Sequence, residues 1–191
     1  MSGILDARSS DPMHGGASFD LRSRLVRLVW SVVWCLLGVW TPRPMHGWRR
    51  MLVCLFGGRI AGTARIYPGV RLWLPVNLEM AEHATLGPDV NCYNMASVRL
   101  EAGALVSQRA TLCTGGHDID DPTFQLQVRP IVIGAGAWVA AEAFVGPGVV
   151  IGEGAVLGAR GVAFRDLESW TVHVGNPARR LRSRRLGDDA R

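Results

Sequence analysis

Residues 133–158 read IGAGAWVAAEAFVGPGVVIGEGAVLG, in which Ile133, Val139, Val145, Ile151 and Leu157 recur at intervals of six and glycine directly follows four of them. The fourth residue after each is small or β-branched: Ala137, Ala143, Val149, Ala155 and Gly161. Large and small apolar side chains therefore alternate along one inward wall, and so short an internal period marks a solenoid. A six-residue repeat describes a coil with three flat faces. Each face supplies one large inward side chain and one small filler, and the tight corners between faces favour Gly, Asn or Pro. The expected fold is an all-β solenoid, a triangular parallel β-helix preceded by a helical segment.

The earlier half carries the same code with a longer coil. Ile60, Ile66 and Leu72 form one triplet, Met80, Leu86 and Cys92 the next, and Leu100, Val106 and Leu112 a third. Counting four forward gives Ala64, Val70, Val76, Ala84, Val90, Ala96, Ala104 and Ala110 as fillers. Corresponding members lie twenty apart where a plain coil would need eighteen, so two extra residues enter at one corner of each coil. The step from Leu112 to Ile133 places a much longer insertion, residues 113–130, at that same corner. Asn77, Ser97 and His117 then become equivalent on successive coils, as do Leu74, Asn94 and Thr114, with coils rising by about 4.8 Å. A stacked, irregular, polar edge on a rigid scaffold is where a site is expected.

With 191 residues and 48% hydrophobic content the chain has room for one sizeable core. Its expected organisation is a weakly ordered stretch (1–20), an Arg/Trp-rich helical segment (21–58), the β-helix (59–178) and a basic tail (179–191). Four scattered cysteines show neither a CxxC pair nor metal-ligand spacing, and Cys92 occupies an inward position; buried thiols in a reducing cytoplasm are the expectation. The net charge is +5, and no acidic residue lies between Leu21 and Leu78. Such a one-signed segment seeks anions. Within it, residues 28–40 are apolar apart from Ser31 and include Trp30, Trp34 and Trp40. Thirteen helical residues span about 20 Å, short of the roughly 30 Å of a hydrocarbon core. A signal peptide fits poorly, with 27 residues ahead of the segment and the helix-stopping Thr41-Pro42-Arg43-Pro44 after it. Two readings stay open: a helix capping the open end of the solenoid, or one lying against an anionic membrane surface. A second helix is expected near Met45–Phe56, ended by Gly57-Gly58.

His117, in Cys113-Thr114-Gly115-Gly116-His117-Asp118 at the base of the long insertion, is the strongest chemical candidate. An imidazole can accept a hydroxyl proton near neutral pH, which acyl transfer to oxygen or nitrogen requires. Asp118 is expected to form the turn. Asn94, one coil below, reads either as a turn residue or as an amide orienting an acyl carbonyl; Asn77, Asn91 and Tyr93 belong to the same neighbourhood as candidate substrate contacts. Trp138 stands at an outward position where an indole needs cover, and the small Ala140, Ala141, Gly158 and Ala159 leave room along the wall for a narrow arm. Arg179, Arg180, Arg182, Arg184 and Arg185, after the Gly175-Asn176-Pro177-Ala178 turn, offer guanidinium forks for phosphate. Without aromatic interleaving they do not read as a nucleic-acid arm.

Taken together, Pro42-Arg43-Pro44 through Trp48-Arg49-Arg50, Asn77-Leu78-Glu79-Met80, Asn91-Cys92-Tyr93-Asn94, Gly115-Gly116-His117-Asp118, residues 137–149 and Gly175-Asn176-Pro177-Ala178 give a chain that resembles the left-handed β-helix acyltransferases of the hexapeptide-repeat superfamily. Within it, the match is to the colanic-acid-type acetyltransferases of bacterial exopolysaccharide biosynthesis, related to galactoside, maltose and nodulation O-acetyltransferases. It spans roughly residues 20–182. The resemblance implies the left-handed winding, against the right-handed habit of ordinary crossovers. It also implies a homotrimer with acetyl-CoA between two subunits, no metal, and His117 as general base on a sugar hydroxyl. Ala141 and Ala159 would meet the pantetheine arm, and Arg179 and Arg182 the phosphates. The acceptor is then a sugar or lipid-linked glycan at the cytoplasmic face of the membrane. A zinc hydratase would need three converging histidines, which His83, His117 and His173 cannot supply across coils. The non-enzymatic alternative is a trimeric assembly module on the same fold.

Overall fold

The computed structural model describes residues 3–185. The six-residue code closes into a parallel β-solenoid of about six coils. Its first face stacks Arg59–Ile60, Leu78–Met80, Val98–Leu100, Ile131–Ile133 and Val150–Ile151. The second stacks Arg65–Ile66, Thr85–Leu86, Leu105–Val106, Trp138–Val139, Val156–Leu157 and Thr171–Val174. The third stacks Arg71–Leu72, Asn91–Tyr93, Thr111–Cys113, Phe144–Val145 and Val162–Ala163. The register is the one the triplets require: Ile60 pairs with Met80 and Met80 with Leu100, Leu86 with Val106, Cys92 with Leu112. The long insertion does not disturb it, for Leu100 pairs with Ile133, Val106 with Val139 and Leu112 with Val145. These side chains form one continuous buried core. Burial pushes the Cys92 thiol up to about 12, so it stays protonated there.

Two details of the code differ from the forward count. Val76 is exposed and Ala96 only half-buried, while Leu78, Val98 and Ile131 fill the core of the first face. The filler belongs two residues before the next large side chain. Four forward and two back coincide in a six-residue step and separate in the eight-residue one. The corners also use less glycine than expected. Asp89, Arg109, Glu142 and Arg160 stack at the edge between the second and third faces, all with φ between +56° and +60°. Glu142 ties this ladder, accepting from Arg109 Nε at 3.0 Å and Arg160 Nε at 2.6 Å; Arg160 first and Arg109 second hold its carboxyl below the usual carboxylate range.

The first coil leaves backbone carbonyls with no strand beneath them, an edge that must be covered. Helices Ala7–Ser10 (α1), Leu21–Leu37 (α2) and His46–Leu55 (α3) precede it, and α2 and α3 supply the cover. Arg50 donates to Ala64 O (2.9 Å), Arg49 Nε to Ile66 O (2.6 Å), Trp34 Nε1 to Val70 O (2.8 Å) and Trp30 Nε1 to Leu72 O (2.8 Å). Arg49 is fully buried, and its guanidinium spends its other donors on Thr41 Oγ1 and on the carbonyls of Thr41, Pro42 and Arg43. Burial lowers its pKa, but arginine starts far enough above neutrality to remain a cation. Capping is therefore the structural role of these Arg and Trp residues. It uses one side of α2 only: Leu21, Leu25, Leu28, Val29, Val32 and Leu36 on the other side are exposed.

The described residues flanking the solenoid also make defined contacts. Ile4 bridges Phe19, Ala7 N–H donates to Gln125 Oε1 at 2.7 Å, and Asp6 and Asp20 N-cap α1 and α2, so residues 3–20 dock against the 113–130 insertion. Residues Arg179–Ser183 form an antiparallel strand on Thr171–Val174, and Arg184 NH1 donates to Gly136 O and Gly154 O. The rest of the C-terminal tail, beyond Arg185, lies outside the described residues.

Candidate active site

The edge joining the third face to the first carries the irregular corners, and their extra backbone groups have no ladder partners. Polar side chains take that place. Asn94 Oδ1 accepts from Leu74 N–H (3.1 Å) while its Nδ2 donates to Leu74 O (2.8 Å), binding one coil to the next. Thr114 repeats the device a coil further on, accepting from Ala96 N–H and donating to Tyr93 O, both at 3.0 Å. Asn77 Nδ2 donates to Asn94 O (3.0 Å) and Met95 O (2.8 Å). Asn94 and Thr114 are fully buried. The expected shared edge for positions 77, 94 and 117 is present, but Asn94 offers no donor to an acyl oxygen and Asn77 no free amide to a substrate. Both are withdrawn as site residues because the longer corner uses them to satisfy its own backbone.

His117 stands on a β-ribbon that the insertion forms, Gly115–His117 antiparallel to Leu126–Val128. A Cβ at Gly115 would lie 1.8 Å from Met95 Cε, the mobile tip of a side chain that could move aside, and at Gly116 the nearest atom would be 3.7 Å away and a side chain would fit. His117 Nδ1 is 2.7 Å from Phe124 O. A carbonyl can only accept, so Nδ1 carries the hydrogen and the neutral ring keeps its lone pair at Nε2. Asp118 forms the turn as expected, accepting from Asp120 N–H and Gln127 Nε2. His117 lines a cleft of about 260 Å³ with Ser18, Phe19, Tyr93, Met95 and Leu126. Burial, with Cys113 adding to it, raises the Tyr93 phenol and keeps it a hydroxyl donor. Asn91 sits two residues earlier on the same outward row, in register with Arg71 and Thr111, and does not line the cleft.

The donor-side candidates gather elsewhere. Trp138 points outward from the second face, 42% exposed, donating to Ser107 Oγ at 2.8 Å. Pairing carries its column through Val156 and Val172 to Arg182, and Arg179 and Arg182 are exposed. Ala141 and Ala159 share the edge between the second and third faces, where Arg160 N–H donates to Ala141 O at 2.9 Å. These candidates thus lie along the second face and at its edge with the third, whereas His117 stands at the edge that joins the third face to the first. Sequence reasoning missed Phe19, Arg27, Trp73 and Met95. Trp73 was within reach of the twenty-residue repeat, which aligns 73, 93 and 113. Among the described residues no group of three or more His, Cys, Asp or Glu is placed to hold a metal ion.

No protein-family model matches the chain. It is 38% identical over 156 residues to the colanic acid biosynthesis acetyltransferase WcaF of Escherichia coli (strain K12), covering 82% of this chain and 86% of that one. Among solved structures it is similar to a galactoside acetyltransferase in complex with coenzyme A (TM-score 0.80, 19% identity, 91% of this chain and 88% of that). It is likewise similar to the hexapeptide-repeat acetyltransferase VCA0836 of Vibrio cholerae O1 biovar eltor complexed with acetyl coenzyme A (TM-score 0.75, 20% identity, 95% and 100%). The fold is therefore the hexapeptide-repeat left-handed β-helix, and the chain belongs to the WcaF family of acetyltransferases.

Proposed function

We propose that the protein transfers an acetyl group from acetyl-CoA to a sugar hydroxyl in the assembly of an exopolysaccharide or lipid-linked glycan, with His117 as general base. The observation that carries this reading is the Nδ1–H bond to Phe124 O, which leaves Nε2 as the ring nitrogen with a free lone pair on a residue lining a cleft with Tyr93. In the reaction Nε2 takes the hydroxyl proton as the oxygen attacks the thioester carbonyl. The tetrahedral intermediate then collapses, and the departing CoA sulfur receives that proton. Tyr93 would contact the acceptor, with Asn91 further along the same row. Trp138, Ala141 and Ala159 would flank the pantetheine arm and Arg179 and Arg182 its phosphates. Because these sit across the third face from His117, a complete site needs a second copy, and a homotrimer supplies one. The test is acetyl-CoA-dependent acetylation of a sugar panel, followed by thiol release. No acetylated product with any acceptor, despite a well-folded protein, would favour the non-catalytic assembly module.

The same reading places the enzyme at the inner face of a bacterial membrane. No helix among the described residues is long and apolar enough to cross one. The support is the exposed apolar side of α2, with Trp40 68% and Leu55 72% exposed nearby, in a segment whose only charges are basic. The protein is expected to float with liposomes containing anionic lipid and to be released as salt rises. Equal binding to neutral liposomes at every salt concentration would exclude the electrostatic part.

A further inference from the structure

Three hollows on the surface join end to end. The His117 cleft shares Ser18 and Phe19 with a neighbour of about 320 Å³ that contains Trp73, Arg24 and Arg27. That neighbour shares Arg24 and Arg27 with a third, of about 430 Å³, walled by Leu21, Leu25 and Leu28 of α2. Along this trough the chemistry changes in a fixed order. Next to His117 lies an aromatic run, Tyr93 against Trp73 at 4.7 Å and Trp73 against Phe19 at 6.0 Å between ring centroids. The middle is cationic: Arg27 Cζ lies 4.2 Å from the Trp73 ring centroid and 4.6 Å from that of Phe19. The far end is exposed leucine, at 52–67%.

The middle of the trough is a poor place for a cation without a counter-charge. Arg27 is half-buried, its pKa is lowered chiefly by burial, and its one side-chain hydrogen bond among the described residues is to its own helix, Ser23 O. It forms no salt bridge with the described residues, and nearby Asp20 is engaged as the N-cap of α2. With Cζ packed in the angle between the two rings and only Nε engaged, by Ser23 O, the guanidinium keeps its other N–H donors for an anion such as a phosphate. We infer that this trough is the acceptor site and that its ligand is a lipid-linked sugar phosphate: sugar on the aromatic run beside His117, phosphate on Arg27 and Arg24, lipid chain along Leu21, Leu25 and Leu28. This rests on the acetyltransferase reading for what happens at the sugar; the phosphate and lipid subsites stand on their own geometry.

The test is calorimetric titration of the full chain with farnesyl diphosphate, farnesol and inorganic pyrophosphate, with acetyl-CoA titrated separately. Farnesyl diphosphate is expected to bind at least about tenfold tighter than either fragment, because both ends are engaged at once. Arg27→Gln is expected to weaken it about tenfold, the loss of one charge-assisted contact, with Arg27→Lys intermediate. Leu25→Ser with Leu28→Ser should reduce binding to the level of pyrophosphate. Thermal unfolding monitors each variant, and exposed Arg24→Gln carries the charge test should Arg27→Gln fail to fold. Farnesol binding as tightly as farnesyl diphosphate, or affinity indifferent to the arginines, would overturn the inference. Absent acetyl-CoA binding with arginine-dependent farnesyl diphosphate binding would instead remove the acetyltransferase reading and leave the trough.

Discussion

His117→Ala is expected to lower acetyl transfer by about 10²- to 10⁴-fold, the usual loss for a positioned acid–base group. The loss should fall mainly on kcat, because the imidazole acts on the proton that moves in the transition state rather than on ground-state binding. His117 is exposed and its only side-chain hydrogen bond among the described residues is to Phe124 O, so the variant should keep its fold. That separates chemistry from structure: thiol release from acetyl-CoA in the presence of an acceptor is the readout, and the melting temperature is the control. Transfer at the wild-type rate would remove His117 from the mechanism.

Asn94→Ala should do the reverse. Its amide exchanges two hydrogen bonds with Leu74 inside the stack, and its removal leaves a backbone N–H and C=O without those partners. The expected cost is about 2–3 kcal/mol, a fall in melting temperature of about 5–10 °C for a domain of this size. Below the transition, transfer should stay within a few-fold of wild type. A drop of 10² or more in a stably folded Asn94→Ala variant would restore Asn94 to the chemistry as an oxyanion donor.

Most of the fold was legible in the sequence because a solenoid repeats one local rule. Within each coil the large inward positions from Ile60 to Leu157 follow from counting by six, and coil pairing away from the long insertion follows from counting by twenty or eighteen. What failed did so where counting stops being local. Val76 and Ala96 were misplaced because the spare residues precede the filler. Asn94 was ambiguous because an amide that staples a corner and one that faces a substrate occupy the same register, and only the direction of the side chain separates them. Gly115-Gly116-His117 was legible as the site, but the tautomer was not, since it depends on where the ribbon brings the Phe124 carbonyl. The trough was invisible for a tertiary reason: Phe19 and Arg27 reach Trp73 only through the angle at which α2 crosses the first coil, and no spacing encodes that angle.

The opposite edges occupied by His117 and by Ala141 and Ala159 make the shared site the central claim, and subunit mixing tests it most directly. His117→Ala and Ala159→Phe are each expected to be nearly inactive, the second because bulk at an exposed corner blocks the donor arm. Refolded together in equal amounts, they should recover about a quarter of wild-type activity, since each mixed trimer contains one interface with an intact base and an intact wall. No recovery from demonstrably mixed trimers would contradict the account and place base and donor within one chain.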